Sequence, residues 1–338
     1  MSLFRAEWRR LLKRRFIRYL VLAGVLVLVL IAAGMFLTNH KVGPAQVANA
    51  EAAAERDYRE NLRFTEQERV ACEAAKASGT ADPNRFPANC ADIQAPPREA
   101  FSAEWHMPAT FEFRKEFPPI LTALAAILGM VAFVAGASFV GAEWSSGGMM
   151  NLLLWRPQRL KVLLTKLAAL LVGFAGLTML ASIGWTAAFW LIGTQRGNTK
   201  GMTSGAWQSL ALSELRGLGL VLAIGAVGFA VASLGRHTAV ALGGAIGVVI
   251  VGQFGVGLVL SMANVPFIER YLLPTYLIAW MNKSITLENW NACNNSYNGS
   301  CEPTRFDVTW QHAAVLFGVA VVLSVGLAMW AMRRRDVT

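Results

Sequence analysis

The stretch GAEWSSGGMMNLLLWRPQRLKVLLTK, residues 141–166, lies between two long apolar runs. It carries Glu143, the pair Gly147-Gly148, a bulky apolar cluster (Met149, Met150, Leu152, Leu153, Leu154, Trp155), Pro157 and the basic residues Arg156, Arg159, Lys161 and Lys166. The runs around it decide the fold. No charged residue occurs from 118 to 142 or from 19 to 37, and a helix needs about 20 apolar residues to cross a bilayer. Hydrophobic residues make up 55% of the 338 and charged residues 15%, against about 25% charged in soluble domains.

Working outward, the sequence predicts six spans at 16–37, 118–141, 163–192, 217–234, 239–263 and 310–332. They read as helices, because a helix satisfies its own backbone in lipid, and they lack the alternation of barrel strands. The class is an all-α polytopic membrane protein. The formal charge of +10 does not point to nucleic acid, because the basic residues stand at the ends of the runs. Arg5 to Arg18, the 142–162 link, Arg236 and the 333–338 tail fall on one side of a six-span chain, which the positive-inside rule makes cytoplasmic. Both termini are expected there. The first run is longer than a signal-peptide core of about 7–15 residues, so it is expected to remain as a span.

The other side holds the insert 38–117, the link 193–216 and the loop 264–309, and with them all four cysteines. An oxidising exterior permits disulfides. Of three pairings, the within-loop set Cys72–Cys90 and Cys293–Cys301 is the simplest; free thiols are the alternative, and no close Cys-x-x-Cys pair or His cluster supports zinc. Residues 45–76 are rich in Ala, Glu and Arg and predict a helix with Val47, Ala54, Tyr58, Leu62 and Val70 as its apolar stripe. The Pro-rich part that follows cannot continue it. This insert reads as a small helical external domain, either a structural cap or a substrate gate.

Catalytic chemistry is missing from the sequence. There is no phosphate-loop motif, and His40, His106, His237 and His312 are scattered. The spans lack internal carboxylates, which disfavours ion-coupled transport. Gln253 is the main polar residue of the fifth span and either bonds a neighbouring helix or meets substrate. Gly243, Gly244, Gly247, Gly252, Gly255 and Gly257 suit close helix packing there. In the quoted link, Pro157 stops a short apolar helix. Such a helix either lies on the lipid surface or fills a groove on another protein.

At these residues the chain resembles the permease subunits of ABC-2 type exporters. The matching residues are Glu143 at the end of the second span, Gly147, the leucines 152 and 153, Pro157, Arg159 and Lys166; where that family has a second acidic residue, this chain has Ser145 or Ser146. The head, residues 1–15, is similar to that family's interfacial helix, with Leu3, Phe4, Trp8, Leu11 and Leu12 on its apolar side. "VPFIERYLLPTYLIAW", residues 265–280, looks like its re-entrant element.

The resemblance implies a non-enzymatic transporter subunit of the plasma membrane, the cytoplasmic membrane of a bacterium, that moves an amphipathic or hydrophobic compound outward. It implies a coupling segment at 142–162, with Glu143, Gly147, Gly148, Met149, Leu152, Leu153, Trp155, Pro157 and Arg159 meeting a separate ATPase. Two ATPase copies and a second permease would complete the assembly. ATP and Mg²⁺ would belong to the ATPase, with no cofactor or metal in this chain. Gln253, Gly252 and Gly255 are the candidates for helix packing or the pathway. The competing reading is a membrane-anchored scaffold or sensor whose external domain binds a ligand.

Overall fold

The computed structural model describes residues 3–79, 82, 85–87, 89–155, 158–289 and 303–334, with the backbone alone for 153–155. Among the described residues, six helices are long and apolar enough to cross a membrane: Arg15–Thr38, Phe113–Ser145, Arg159–Arg196, Ser204–Gly235, Thr238–Met262 and Trp310–Arg334. The fold is an all-α, polytopic one. The chain divides into two compact units, one of Met1–Ala33, Phe113–Trp190 and Lys200–Thr338, the other of Gly34–Glu112 and Leu191–Thr199.

In the first unit, helix α1 (Leu3–Lys13) precedes α2 (Arg15–Thr38), which continues into the second. The core pair is α4 (Phe113–Ser145) and α7 (Ser204–Gly235). Lipid tails are as apolar as leucine, so helix contact in a bilayer comes from close backbone approach rather than from excluded water. Small residues provide that approach here. A Cβ on Gly136 would stand 2.6 Å from the Gly225 carbonyl oxygen, and one on Gly225 would stand 3.2 Å from the Ala132 Cβ. Phe139 of α4 and Phe229 of α7 are both essentially fully buried.

The glycines of the fifth span do something else. That span is built from α8 (Thr238–Gly247), a π-helical stretch (Val248–Gly255) and α9 (Val256–Met262). A Cβ on Gly243, Gly244 or Gly247 would meet nothing within 4 Å, one on Gly252 only its own helix's Val248, and one on Gly255 only the Ile250 carbonyl. One on Gly257 would stand 3.7 Å from the Leu272 Cδ2, so within this chain the face around Gly243 and Gly247 is open while α4 and α7 approach closely. The Gln253 Oε1 accepts from the Leu273 N–H at 2.9 Å. This pins the start of α10 (Leu273–Asn282).

Two further differences concern element ends. α6 (Arg159–Arg196) and α7 both outrun the predicted spans, leaving 197–203 between them where a link of 193–216 was expected; a helix need not stop where the bilayer does. Glu214, just outside the predicted span of 217–234, thereby lies inside α7. In the 264–309 loop, beyond α10, strands β3 (Ser284–Asn289) and β4 (Thr304–Thr309) form an antiparallel hairpin that the sequence reading missed. Ile285 faces Val308 and Leu287 faces Phe306 across it, and these side chains pack with Ala279 of α10. Cys293 and Cys301 lie outside the described residues.

The second unit is organised by α3 (Pro44–Ala77), opened by Pro44 at its first position and by the Gly43 N–H donating to the Gln46 Oε1. Its inward stripe runs through Val47, Ala50, Ala54, Tyr58, Asn61, Thr65 and Cys72. Leu62 and Val70, expected on that stripe, are 40% and 54% exposed. Three short 3₁₀ turns return along the helix, held by Arg98–Glu55 (3.0 Å), His106–Asp57 (3.0 Å) and an edge contact of Tyr58 with Phe101. Cys72 and Cys90 form a disulfide with Cα atoms 5.8 Å apart. Two-residue strands β1 (Phe111–Glu112) and β2 (Gly197–Asn198) pair in parallel in this unit.

Candidate functional site: a buried ion-pair chain beside the α4–α5 link

α4 ends at Ser145, and the Ser145 and Ser146 hydroxyls donate back to the carbonyls of Ala142 and Glu143. Those serines, standing where a second acid was expected, therefore cap the helix end. Gly147 turns the chain at φ +70°, a backbone conformation that glycine adopts without penalty. α5 follows as Gly148–Trp155. Met149 is fully buried, Met150 and Leu152 are half-buried and Asn151 is exposed. The side chains of Leu153 and Trp155, and all of Pro157, lie outside the described residues. Met149 thus anchors α5 to its own chain, with Gly148 and Asn151 exposed and Met150 and Leu152 half-buried.

Glu143, one turn before the link, enters a chain of charges. Its Oε2 takes the Lys166 ammonium at 2.6 Å and its Oε1 takes the Arg14 guanidinium at 2.9 Å. Lys166 also donates to Glu7 at 2.5 Å, and Glu7 holds Arg10 at 3.2 Å. Arg14 spends its second nitrogen on the Ser138 carbonyl at 2.9 Å. The order is Arg10, Glu7, Lys166, Glu143, Arg14, alternating in sign throughout. Lys166 is 0% and Glu7 1% exposed. Phe139 lies under the pair of cations, its ring 5.2 Å from both Arg14 and Lys166, an attractive cation–π geometry.

This arrangement joins α1, the end of α4 and the start of α6. Leu11 and Trp8 of α1 press on Gly173 of α6, where a Cβ would stand 2.9 Å from the Leu11 Cδ2. The inward side of α1 therefore carries Glu7 together with Leu11, whereas Leu12, expected on the apolar side, is 55% exposed. Sequence reasoning singled out Glu143 and Lys166 but passed over Glu7 and Arg14. At the same end α4 touches the α7–α8 turn. A Cβ on Gly141 would stand 2.5 Å from the Thr238 nitrogen, Arg236 lies over the Trp144 ring at 4.9 Å, and the His237 Nδ1 caps α8 by accepting from the Ala239 N–H. Buried charges cost several kcal/mol each unless paired; here the pairing makes three helix ends one block. Among the described residues no group of His, Cys, Asp and Glu could hold a metal.

A family model described as ABC-2 family transporter protein matches residues 1–337. The chain belongs to that family and is a permease subunit, the multi-pass membrane component of an ABC transporter, and membership implies a partner ABC ATPase. No curated protein and no solved structure matches it.

Proposed function

We propose that this chain is the permease of an ATP-driven exporter that moves an amphipathic or hydrophobic compound outward. A separate ATPase docks on the 142–162 link, chiefly on α5. The observation that carries this reading is the ion-pair chain. It ties the link's flanks, Glu143 and Lys166, to α1 through Glu7 and Arg14, so a push on α5 moves α1, α4 and α6 together. ATP and Mg²⁺ act on the ATPase, and no cofactor is needed in this chain. The cytoplasm lies on the side of α1, α5 and the basic tail, in a plasma membrane of bacterial type. Two ATPases serve two permeases. The open glycine face of the fifth span, with Gly243 and Gly247 four residues apart, suits the seam with a second permease, since a small-xxx-small pattern lets two helices approach closely.

The test is co-purification of the chain with its ATPase, scored beside transport-coupled ATP hydrolysis. Leu152→Ala with Leu153→Ala and Trp155→Ala should release the ATPase, because loss of a buried anchor often costs at least about 2 kcal/mol of binding. Glu143→Gln should keep the complex and uncouple hydrolysis from transport. A triple alanine variant that keeps both its ATPase and its transport would place α5 on the lipid surface instead.

A further inference from the structure

A cavity of about 390 Å³ opens between α6 and α7, lined by Thr186, Trp190, Trp207, Leu210 and Glu214 among others. Glu214 lies three turns into α7 and is half-buried. Its Oε1 accepts from the Thr186 hydroxyl at 2.6 Å. Among the described residues no Lys or Arg lines this cavity, and no ion pair reaches Glu214. Arg216, two positions on, projects from another side of the helix, since residues i and i+2 do not face each other. The two indoles line the same cavity as the carboxylate, their ring centroids 5.2 Å apart at 48°. Phe113 backs both, at 5.2 Å from Trp190 and 6.0 Å from Trp207.

The chemistry of this wall is specific. A carboxylate inside a membrane-spanning helix marks a functional site by default, because a lone charge is expensive there. Aromatic faces attract cations through their quadrupole, and aromatic cages are the usual receptors of quaternary ammonium groups. The remaining lining, Ile183, Ala187, Leu210 and Ala211, is apolar and suits a hydrocarbon tail. A neighbouring cavity of about 490 Å³ shares Leu210 but carries Arg114 and Lys283. The preference for positive charge is thus local to the α6–α7 cavity and does not follow from the chain's net charge.

We infer that the α6–α7 cavity binds an amphiphilic organic cation, its ammonium group held between Glu214, Trp190 and Trp207. This names the cargo class of the proposed exporter and rests on that reading only for the word cargo; binding itself needs no ATPase. The test is equilibrium dialysis of radiolabelled dodecyltrimethylammonium against the full chain in digitonin micelles. Binding should saturate, and neither dodecanol nor dodecyl sulfonate should compete. Glu214→Gln, which keeps the acceptor for Thr186, should weaken binding at least tenfold; Glu214→Asp should restore most of it. Trp207→Leu should weaken it and Trp207→Tyr should not. Glu214→Gln affinity within twofold of the unmodified chain, or displacement by dodecanol as effective as by the unlabelled cation, would overturn the inference. If Glu214→Gln does not fold, the Trp207 pair and the competition series decide. A negative result leaves the permease reading standing, because that reading is scored on ATPase retention and coupling.

Discussion

Lys166 has two acidic partners and Glu143 has two basic ones, yet they should not respond alike to substitution. Lys166→Met removes the cation from between two carboxylates at a fully buried position. Breaking a buried pair from one side costs about 3–5 kcal/mol, so this variant should lose its thermal transition in detergent or fail to accumulate. Glu143→Gln still leaves Lys166 with Glu7, and should cost less in the same melt while abolishing coupling. A melt in which Glu143→Gln is the more destabilised of the two would reverse the assignment of Lys166 as the centre. Gly141 offers a steric test at the same end. An added Cβ would collide with the backbone of Thr238, 2.5 Å away, and backbone cannot swing aside as a side chain does. Gly141→Ala should therefore destabilise by about 1–3 kcal/mol, the usual cost of overpacking. Glycine substitution at 243, where the space is open, should leave the melting temperature of the isolated permease unchanged.

At the scale of the element, α3 and its return turns depend on a covalent closure. Cys72 and Cys90 are 18 residues apart, and closing a loop of that length stabilises by about 3 kcal/mol in the chain-entropy model. Cys72→Ser with Cys90→Ser should hasten proteolysis within 44–112 while leaving the membrane helices protected; equal protease resistance would show that the ion pairs of Glu55 and Asp57 suffice. The elements also differ in how far the sequence announced them. The six apolar runs were legible because a charge-free stretch of span length has few other uses. The β3–β4 hairpin was legible in principle, since Ile285 and Leu287 alternate with polar residues as Phe306 and Val308 do, but its strands are separated by a long connection instead of a short turn signal. Glu7 was not legible. Helical periodicity places it beside Leu3 and Leu11, and a charge on an apolar face has no local explanation until its partner 159 residues away is known. Glu214 was hidden by where the fourth span was judged to begin.

At the scale of the whole molecule, the topology makes its own prediction. If α1 and the basic tail lie in the cytoplasm, Ala52→Cys in α3 should react with impermeant maleimide added outside intact cells, and reaction only after permeabilisation would reject six spans. If the fifth span forms the seam between permeases, Gly247→Cys should cross-link two copies in native membranes, and monomer alone under oxidant would move the seam elsewhere. The link between Glu7 and Lys166 also bears on how the molecule is made. A chain grows at about 5–20 residues per second, so the ribosome needs roughly 8–32 s to add the 159 residues that separate them. During that interval Glu7 has only Arg10, one turn away and half-exposed, and α1 has no Gly173 to lie against. The first helix to emerge thus waits for about half of the chain before it is seated. A nascent chain stalled before residue 166 should leave α1 open to protease, and one stalled well beyond it should not.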